Sequence, residues 1–169
     1  MTDARAIVVM GVSGCGKTSV AEGLAASLGA AFIEGDSLHP VANVEKMSRG
    51  IPLTDGDRWP WLDMIGRALA DALAAGNDVV VSCSALRKVY RERLRSAAGG
   101  MLSFVFLKGS RDLLMTRMAA REGHFMPASL LDSQLATLED PSGEQGVVTV
   151  DIDAPVEAIV AAALRGLAS

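Results

Sequence analysis

The chain has 169 residues, half of them hydrophobic, so it is long enough for one well-packed domain and short for two. Its net charge of −4 argues against a broad nucleic-acid surface, and no apolar stretch approaches the ~20 residues that span a bilayer. The first ten residues lack the features of a secretory signal, and two separate cysteines do not suggest a disulfide framework. We therefore expect a single cytoplasmic domain over residues 1–169, with neither nucleic acid nor membrane as a partner.

Apolar runs alternate with segments of helical periodicity along the whole chain. This alternation predicts an α/β fold: a doubly wound, five-stranded parallel sheet flanked by helices, with ligands bound beyond the carboxyl ends of the strands. The predicted strands are 6–10, 31–34, 79–83, 102–107 and 147–150. The predicted helices are 17–28, 41–47, 59–75, 88–97, 111–121, 127–138 and 155–167.

A complete phosphate-binding motif, G-x-x-x-x-G-K-[ST], lies between the first strand and the first helix. In this motif backbone N–H groups surround phosphate oxygens, the lysine contacts the β- and γ-phosphates, and the last hydroxyl faces Mg²⁺. A chance glycine-rich turn is the alternative, but both flanking elements match the context that the motif requires. The motif predicts an ATP-type triphosphate site formed by Gly11, Val12, Ser13, Gly14, Cys15, Gly16, Lys17, Thr18 and Ser19.

Two carboxylates, Glu34 and Asp36, follow the second predicted strand with a glycine between them. In a parallel sheet they face the phosphate loop across the cleft. A kinase needs one carboxylate to accept or orient the attacking hydroxyl, and others to hold Mg²⁺, usually through water. Alternatively, Asp36 caps a helix that starts near Pro40, and the two roles are compatible.

Residues 46–62 form the most unusual stretch, because both tryptophans of the chain, Trp59 and Trp61, lie there close together. Arg49 and Arg58 in the same stretch are suited to grip a carboxylate or phosphate in a bidentate fork. Together these residues favour a pocket for an anionic substrate with an aromatic wall. Alternatively, the tryptophans fasten a helix start to the core and the arginines pair with the neighbouring aspartates.

The third predicted strand ends in Ser82-Cys83-Ser84, where a Walker B strand would carry an acid. Ser82 and Ser84 are placed either to bind water around Mg²⁺ or to cap the following helix. Because the acid is missing, a nucleotide-binding module without catalysis of its own stays open as an alternative.

Residues 117–128 have the pattern of a short lid, since Arg117 and Arg121 lie four positions apart on one helix face before a turn. In phosphoryl transfer a closing loop excludes water and delivers an arginine to the charge on the moving phosphoryl group. A solvated basic helix end is the alternative. The two histidines of the chain, His39 and His124, both fall in candidate site segments.

Taken together, these segments make the chain resemble the gluconate kinases of the short, phosphate-loop type along nearly its whole length. The phosphate loop alone is shared by many functions, whereas the other segments together are specific. The resemblance implies a fold related to shikimate and nucleoside-monophosphate kinases, transfer of the γ-phosphoryl group of ATP to the 6-hydroxyl of D-gluconate with Mg²⁺, and a homodimer. The segments that carry it are 11–18, 34–47, 50–62, 83–91 and 123–134.

On this resemblance, Asp36 orients the sugar-acid hydroxyl and accepts its proton, while Glu34 holds Mg²⁺-bound water. Lys17 and Thr18 hold phosphate and metal. Many family members have serine at the position of Cys15, which here puts a thiol beside the phosphates, an oxidation target if its pKa is lowered. The resemblance also implies that gluconate is bound by Arg49, Arg58 and His39. Arg121 would contact the transferring phosphoryl group, and Arg117 would lie against adenine.

Other functions stay as alternatives. A kinase for shikimate or a nucleoside monophosphate is the nearest, although residues 34–61 argue against it. A GTPase-like switch or mechanical NTPase comes from another class, but the chain has no Asn-Lys-x-Asp guanine signature. Its one Asp-x-x-Gly match, at residues 140–143, follows no predicted strand.

Overall fold

The computed structural model describes residues 4–120 and 128–168. Five strands form a single parallel sheet: β1 (Ala6–Met10), β2 (Ala31–Glu34), β3 (Val79–Ser82), β4 (Leu102–Lys108) and β5 (Val147–Asp151). Their order across the sheet is β2-β3-β1-β4-β5. The helices are α1 (Lys17–Leu28), α2 (Val41–Ser48), α3 (Asp55–Ala74), α4 (Lys88–Ala97), α5 (Arg111–Ala119), α6 (Ala128–Thr137) and α7 (Val156–Ala168), with a 3₁₀ turn at Gly35–Leu38.

The core lies on both faces of the central strands. Every residue of β1 and β3 is buried, as expected for parallel strands that are covered on both sides and therefore have continuous apolar sequences. The helix pair α1 and α7 packs together on the sheet, and α3 packs against α4. This layered arrangement is the predicted α/β fold.

The strand register aligns the carboxyl ends of three neighbouring strands. Ser82, the last residue of β3, is in register with Val9 of β1 and with Glu34, the last residue of β2. The phosphate loop after β1 and the acidic turn after β2 therefore lie at the same edge of the sheet, on either side of β3.

The predicted strands are correct to within one residue, and most predicted helix ends are correct to within two. One start is wrong: α3 begins at Asp55 and not at 59. The cause is a capping box, in which the Thr54 hydroxyl accepts from Asp57 N–H (3.1 Å) and the Asp57 carboxylate accepts from Thr54 N–H (2.9 Å). This motif was readable in the sequence T-D-G-D.

None of the helices formed by residues 4–120 and 128–168 combines the length and the apolarity that a membrane span requires.

Candidate active site

The phosphate-loop residues form a tight turn between β1 and α1. Gly16 directly precedes α1, and its φ of 88° lies in the left-handed region that favours glycine. Cys15 N–H and Lys17 Nζ both donate to the Val12 carbonyl, each at 3.3 Å. The first turn of α1 carries no acidic residue, so the positive end of this helix is open to an anion.

Glu34, at the end of β2, joins the phosphate-loop helix to the end of β3. Its two carboxylate oxygens accept from the Thr18 hydroxyl and from the Ser82 hydroxyl, each at 2.5 Å. The Ser82 oxygen in turn accepts from Gly35 N–H at 3.2 Å. A carboxylate from β2 thus lies beside the end of β3, the strand on which the sequence has no Walker B acid.

The turn that carries Asp36 is fixed from two sides. A Cβ atom at Gly35 would lie 2.0 Å from the Ser82 carbonyl oxygen, so only glycine fits at this position. Trp61 Nε1 donates to the Gly35 carbonyl at 2.8 Å. The Asp36 side chain itself is 66% exposed, next to the phosphate-loop edge of the sheet. It does not cap α2, since no side chain caps that helix, so this alternative is wrong.

His39 lies beside Asp36, and its side chain is only 3% exposed. The ring stacks on Trp61 with 4.0 Å between centroids and 15° between planes. Asn43 Nδ2 lies 3.1 Å from His39 Nδ1, and His39 Nε2 lies 4.0 Å from Asp36 Oδ1. Burial lowers the pKa of His39, which outweighs the opposite effect of Asp36, so the neutral ring is favoured.

The two tryptophans do not form an aromatic wall for a ligand, which corrects that prediction. Trp61 is buried in the core, at 1% exposure. Trp59 packs edge-on against Tyr90 at 5.7 Å between centroids, and the Arg93 guanidinium lies over its ring at 4.8 Å. Both tryptophans therefore fasten the start of α3 to its neighbours, as in the alternative interpretation.

Arg58 is half-buried and held in place by two hydrogen bonds. Its Nη1 donates to the Leu53 carbonyl at 2.8 Å and to the Tyr90 hydroxyl at 2.9 Å. Tyr90 donates to Asp55, which also accepts from Arg87. The hydrogen bond from Tyr90 is the largest cause of the lowered pKa of Asp55.

Arg49 lies at the end of α2 and is exposed, with no ion pair to any residue within 4–120 or 128–168. The alternative in which the two arginines pair with neighbouring aspartates is wrong. Asp57 pairs instead with Lys46 (2.7 Å), and this bond is the main reason why the pKa of Asp57 falls to about 2. Among the described residues, no carboxylate forms an ion pair with Arg49 or Arg58.

Arg117, on α5, donates through Nη2 to the carbonyls of Ile152 and Ala154 in the turn after β5. The arginine predicted to lie against adenine is thus attached to the turn at the carboxyl end of β5. Arg121, His124 and most of the predicted lid, residues 121–127, lie outside the described residues.

Both cysteines are buried in the core. A Cβ atom at Gly11 would lie 2.7 Å from Cys15 Sγ, so this sulfur packs against the start of the phosphate loop. The thiol that the sequence places beside the phosphates is completely buried. Burial raises the pKa of Cys83 to about 12.

A family model described as an AAA domain matches residues 7–141. The gluconokinase of Gluconobacter oxydans is 56% identical over 86% of this chain and 82% of that protein. The thermoresistant gluconokinase of Escherichia coli is 46% identical over 96% of this chain and 93% of that protein. The chain belongs to the gluconokinase family. This confirms the resemblance stated from the sequence.

Solved structures agree with membership of the gluconokinase family. The crystal structure of a gluconokinase from Sinorhizobium meliloti has a TM-score of 0.90 and 57% identity, over 99% of this chain and 94% of that one. An APS kinase from Mycobacterium tuberculosis, 19% identical with a TM-score of 0.74, shows the fold alone. The predicted relation to phosphate-loop small-molecule kinases is confirmed at the level of fold.

Two further residues of this gluconokinase-family chain support the site and were missed in the sequence. Gln134 Oε1, on α6, accepts from Ser13 N–H in the phosphate loop at 2.7 Å. Arg91, on α4, is completely buried and joins the loop after β3 to Glu144. Both residues lie within segments that carried the resemblance, but no role was predicted for either, because Ser13 and Glu144 are distant from them in sequence.

Proposed function

We propose that this chain is an ATP-dependent gluconate kinase, a single kinase domain over residues 1–169. It transfers the γ-phosphoryl group of ATP to the 6-hydroxyl of D-gluconate, giving 6-phospho-D-gluconate and ADP. The observation that carries the proposal is the edge of the sheet where the Thr18 hydroxyl meets Glu34 at 2.5 Å and Asp36 follows two residues later. Membership of the gluconokinase family supports gluconate as the acceptor.

The nucleotide half of the site consists of the phosphate loop and two arginines. Within residues 11–19, the backbone N–H groups other than those of Gly11, Ser13 and Cys15, which donate within the protein, bind the phosphates. Lys17 contacts the β- and γ-phosphates. Lys17 Nζ donates to the Val12 carbonyl, which is a neutral acceptor. A charged phosphate oxygen forms a stronger hydrogen bond with the ammonium group and replaces this contact. Arg117 lies against adenine, and Arg121 stabilises the charge on the moving phosphoryl group.

Mg²⁺ is held by Thr18, and through water by Glu34. The residues present fit this ion, because a hydroxyl and a carboxylate are the hard oxygen donors it prefers and they already lie 2.5 Å apart. When bound, the ion neutralises charge on the β- and γ-phosphates. Ser82 keeps the second oxygen of Glu34 in place from β3.

The acceptor half is built around Asp36. Its exposed carboxylate orients the 6-hydroxyl of gluconate and accepts the proton that this hydroxyl loses as it attacks phosphorus. Arg49 and Arg58 bind the gluconate carboxylate or its polyol chain. His39, the third residue predicted to bind gluconate, acts on it through Asp36, which lies beside its ring. Hydrogen bonds to Leu53 and Tyr90 already hold the Arg58 side chain in place. Arg58 therefore loses less conformational entropy when gluconate binds.

We also propose a homodimer, which the resemblance to the family implies, and a cytoplasmic location. The net charge of −4 supports the absence of a nucleic-acid partner.

The acceptor is tested by offering purified protein ATP and Mg²⁺ with gluconate, shikimate, nucleoside monophosphates or no acceptor, and by following ADP. We expect ADP release that depends on gluconate. Equal ADP release without acceptor would indicate an NTPase, and none at all would favour a non-catalytic binding module.

The Ser82→Ala variant should raise the Mg²⁺ concentration that gives half-maximal activity by about tenfold, since a hydrogen bond to a charged group contributes about 1.5 kcal/mol or more. The hydroxyl holds Glu34, and its loss frees that carboxylate to rotate. Activity is measured against Mg²⁺ at saturating gluconate. Ser96→Ala, an exposed serine on α4, is the matched control. An unchanged Mg²⁺ dependence in Ser82→Ala would remove Glu34 from the metal site.

A further inference from the structure

The amide of Asn43 can have only one orientation. Asn43 is buried, at 3% exposure, and its Nδ2 lies 2.9 Å from the Asp57 carbonyl oxygen and 3.1 Å from His39 Nδ1. A carbonyl oxygen only accepts, so the nitrogen of the amide must face Asp57, because the amide oxygen there would put two acceptors in contact. The second N–H of the same nitrogen is then directed at the His39 ring.

This orientation determines which nitrogen of His39 carries the proton. Because Nδ1 accepts from Asn43, a neutral His39 must have its hydrogen on Nε2. The stack on Trp61 fixes the plane of the ring, and Trp61 is itself anchored to the Gly35 carbonyl. The protonated Nε2 is therefore the ring nitrogen that lies 4.0 Å from Asp36 Oδ1.

We propose that Asn43 is a positioning residue, which holds His39 as its Nε2–H tautomer so that this N–H orients the Asp36 carboxylate for the acceptor hydroxyl. The inference rests on the proposed function in so far as Asp36 receives the proton there. A separation of 4.0 Å is longer than a hydrogen bond, but the exposed Asp36 side chain is free to rotate, and such contacts shorten when substrate binds. One carboxylate oxygen then accepts from His39 and the other faces the hydroxyl.

The charges around His39 agree with a neutral ring. Asp36, from the 3₁₀ turn, raises the pKa of His39, whereas burial and the Arg58 guanidinium from α3 lower it, and burial is the largest effect. Asn43 from α2 and Trp61 from α3 are uncharged, and the nearby Asp57 carboxylate is paired with Lys46. A neutral His39 with a fixed tautomer donates one hydrogen bond without competing for the proton that Asp36 receives.

The tautomer is measured by long-range ¹H–¹⁵N NMR of the ¹⁵N-labelled protein without ligands near neutral pH. The chain has only two histidines, so the signals lost in His39→Gln assign the ring. We expect a His39 with Nδ1 unprotonated and Nε2 protonated. In the Asn43→Asp variant the new carboxylate can only accept a hydrogen bond from the ring, so His39 should carry a proton on Nδ1. A wild-type protein with Nδ1–H would overturn the proposal, whether or not Asn43→Asp folds.

A pair of variants separates positioning from packing. A glutamine at 39 places its amide nitrogen near the former Nε2, whereas an asparagine places it near the former Nδ1, and both remove the stacked ring. We expect kcat for gluconate phosphorylation to be at least tenfold higher in His39→Gln than in His39→Asn, with similar KM for ATP. Equal kcat values would overturn the proposal. Absence of gluconate turnover in the wild-type protein would contradict the proposed function, and the tautomer measurement would still decide this inference.

Discussion

Asp36→Asn should lower kcat for gluconate phosphorylation by about 10²- to 10⁴-fold while ATP binding is retained, as expected when a general base is removed. Asparagine has nearly the same shape as aspartate, but its amide cannot accept the proton of the attacking hydroxyl. The Asp36 side chain is 66% exposed and supports no helix cap, so the fold should be unaffected. Nucleotide binding by calorimetry and steady-state kinetics with gluconate measure the two properties separately.

Asp71→Asn is the matched control for Asp36→Asn. Asp71 is an exposed carboxylate on α3, and its replacement changes the net charge by the same amount. Near-normal turnover in Asp36→Asn would remove this residue from the mechanism. A loss of ATP binding would instead mean that the carboxylate acts on the nucleotide half of the site.

The strands and the phosphate loop were predictable because their signals are local. The run Ala6–Met10 is apolar throughout, since β1 is covered on both faces, and the motif directly after it needs no distant partner. Glu34 and Asp36 were predicted for a similar reason, because the residues after parallel strands lie at one edge of the sheet. The start of α3 was predicted four residues too late, although its signal, the capping box at Thr54, is also local.

The contacts that complete the site were not predictable, because they depend on the order of the strands. Ser82 meets Glu34 across 48 positions only because β3 lies between β1 and β2. Composition alone allows Trp61 to face either a ligand or the core, because the direction of its side chain depends on how α3 packs. His39 and Asn43 are one helical turn apart in sequence, but the carbonyl of Asp57 that orients the amide comes from α3.

Arg91→Met should lower the free energy of unfolding by about 3–5 kcal/mol, the usual cost of breaking a buried ion pair. Arg91 is fully buried, and all of its donors are used, to Glu144 (3.1 and 2.7 Å) and to three backbone carbonyls. Without it the Glu144 carboxylate keeps only the longer contact to Arg95 at 3.2 Å. Removal of the positive charge also raises the pKa of Glu144, which the hydrogen bond from Arg91 now lowers. The carbonyls of Ala85 and Glu139 also lose the Arg91 donor, whereas the Leu86 carbonyl still accepts from Glu139 N–H at 2.8 Å.

Arg93→Met is the matched control for Arg91→Met, since Arg93 lies on the same helix and makes an equally well-formed bidentate pair with Asp63 (2.7 and 2.9 Å). That pair is exposed to water, so its loss should cost about 1 kcal/mol or less. Urea unfolding measures both variants. Equal losses of unfolding free energy in the two variants would mean that the buried Arg91–Glu144 pair contributes no more than a surface ion pair.

Arg91 also binds the loop after β3, in which the Ser84 carbonyl accepts from Gly11 N–H at the start of the phosphate loop. Arg91→Met should therefore loosen the phosphate loop and raise KM for ATP.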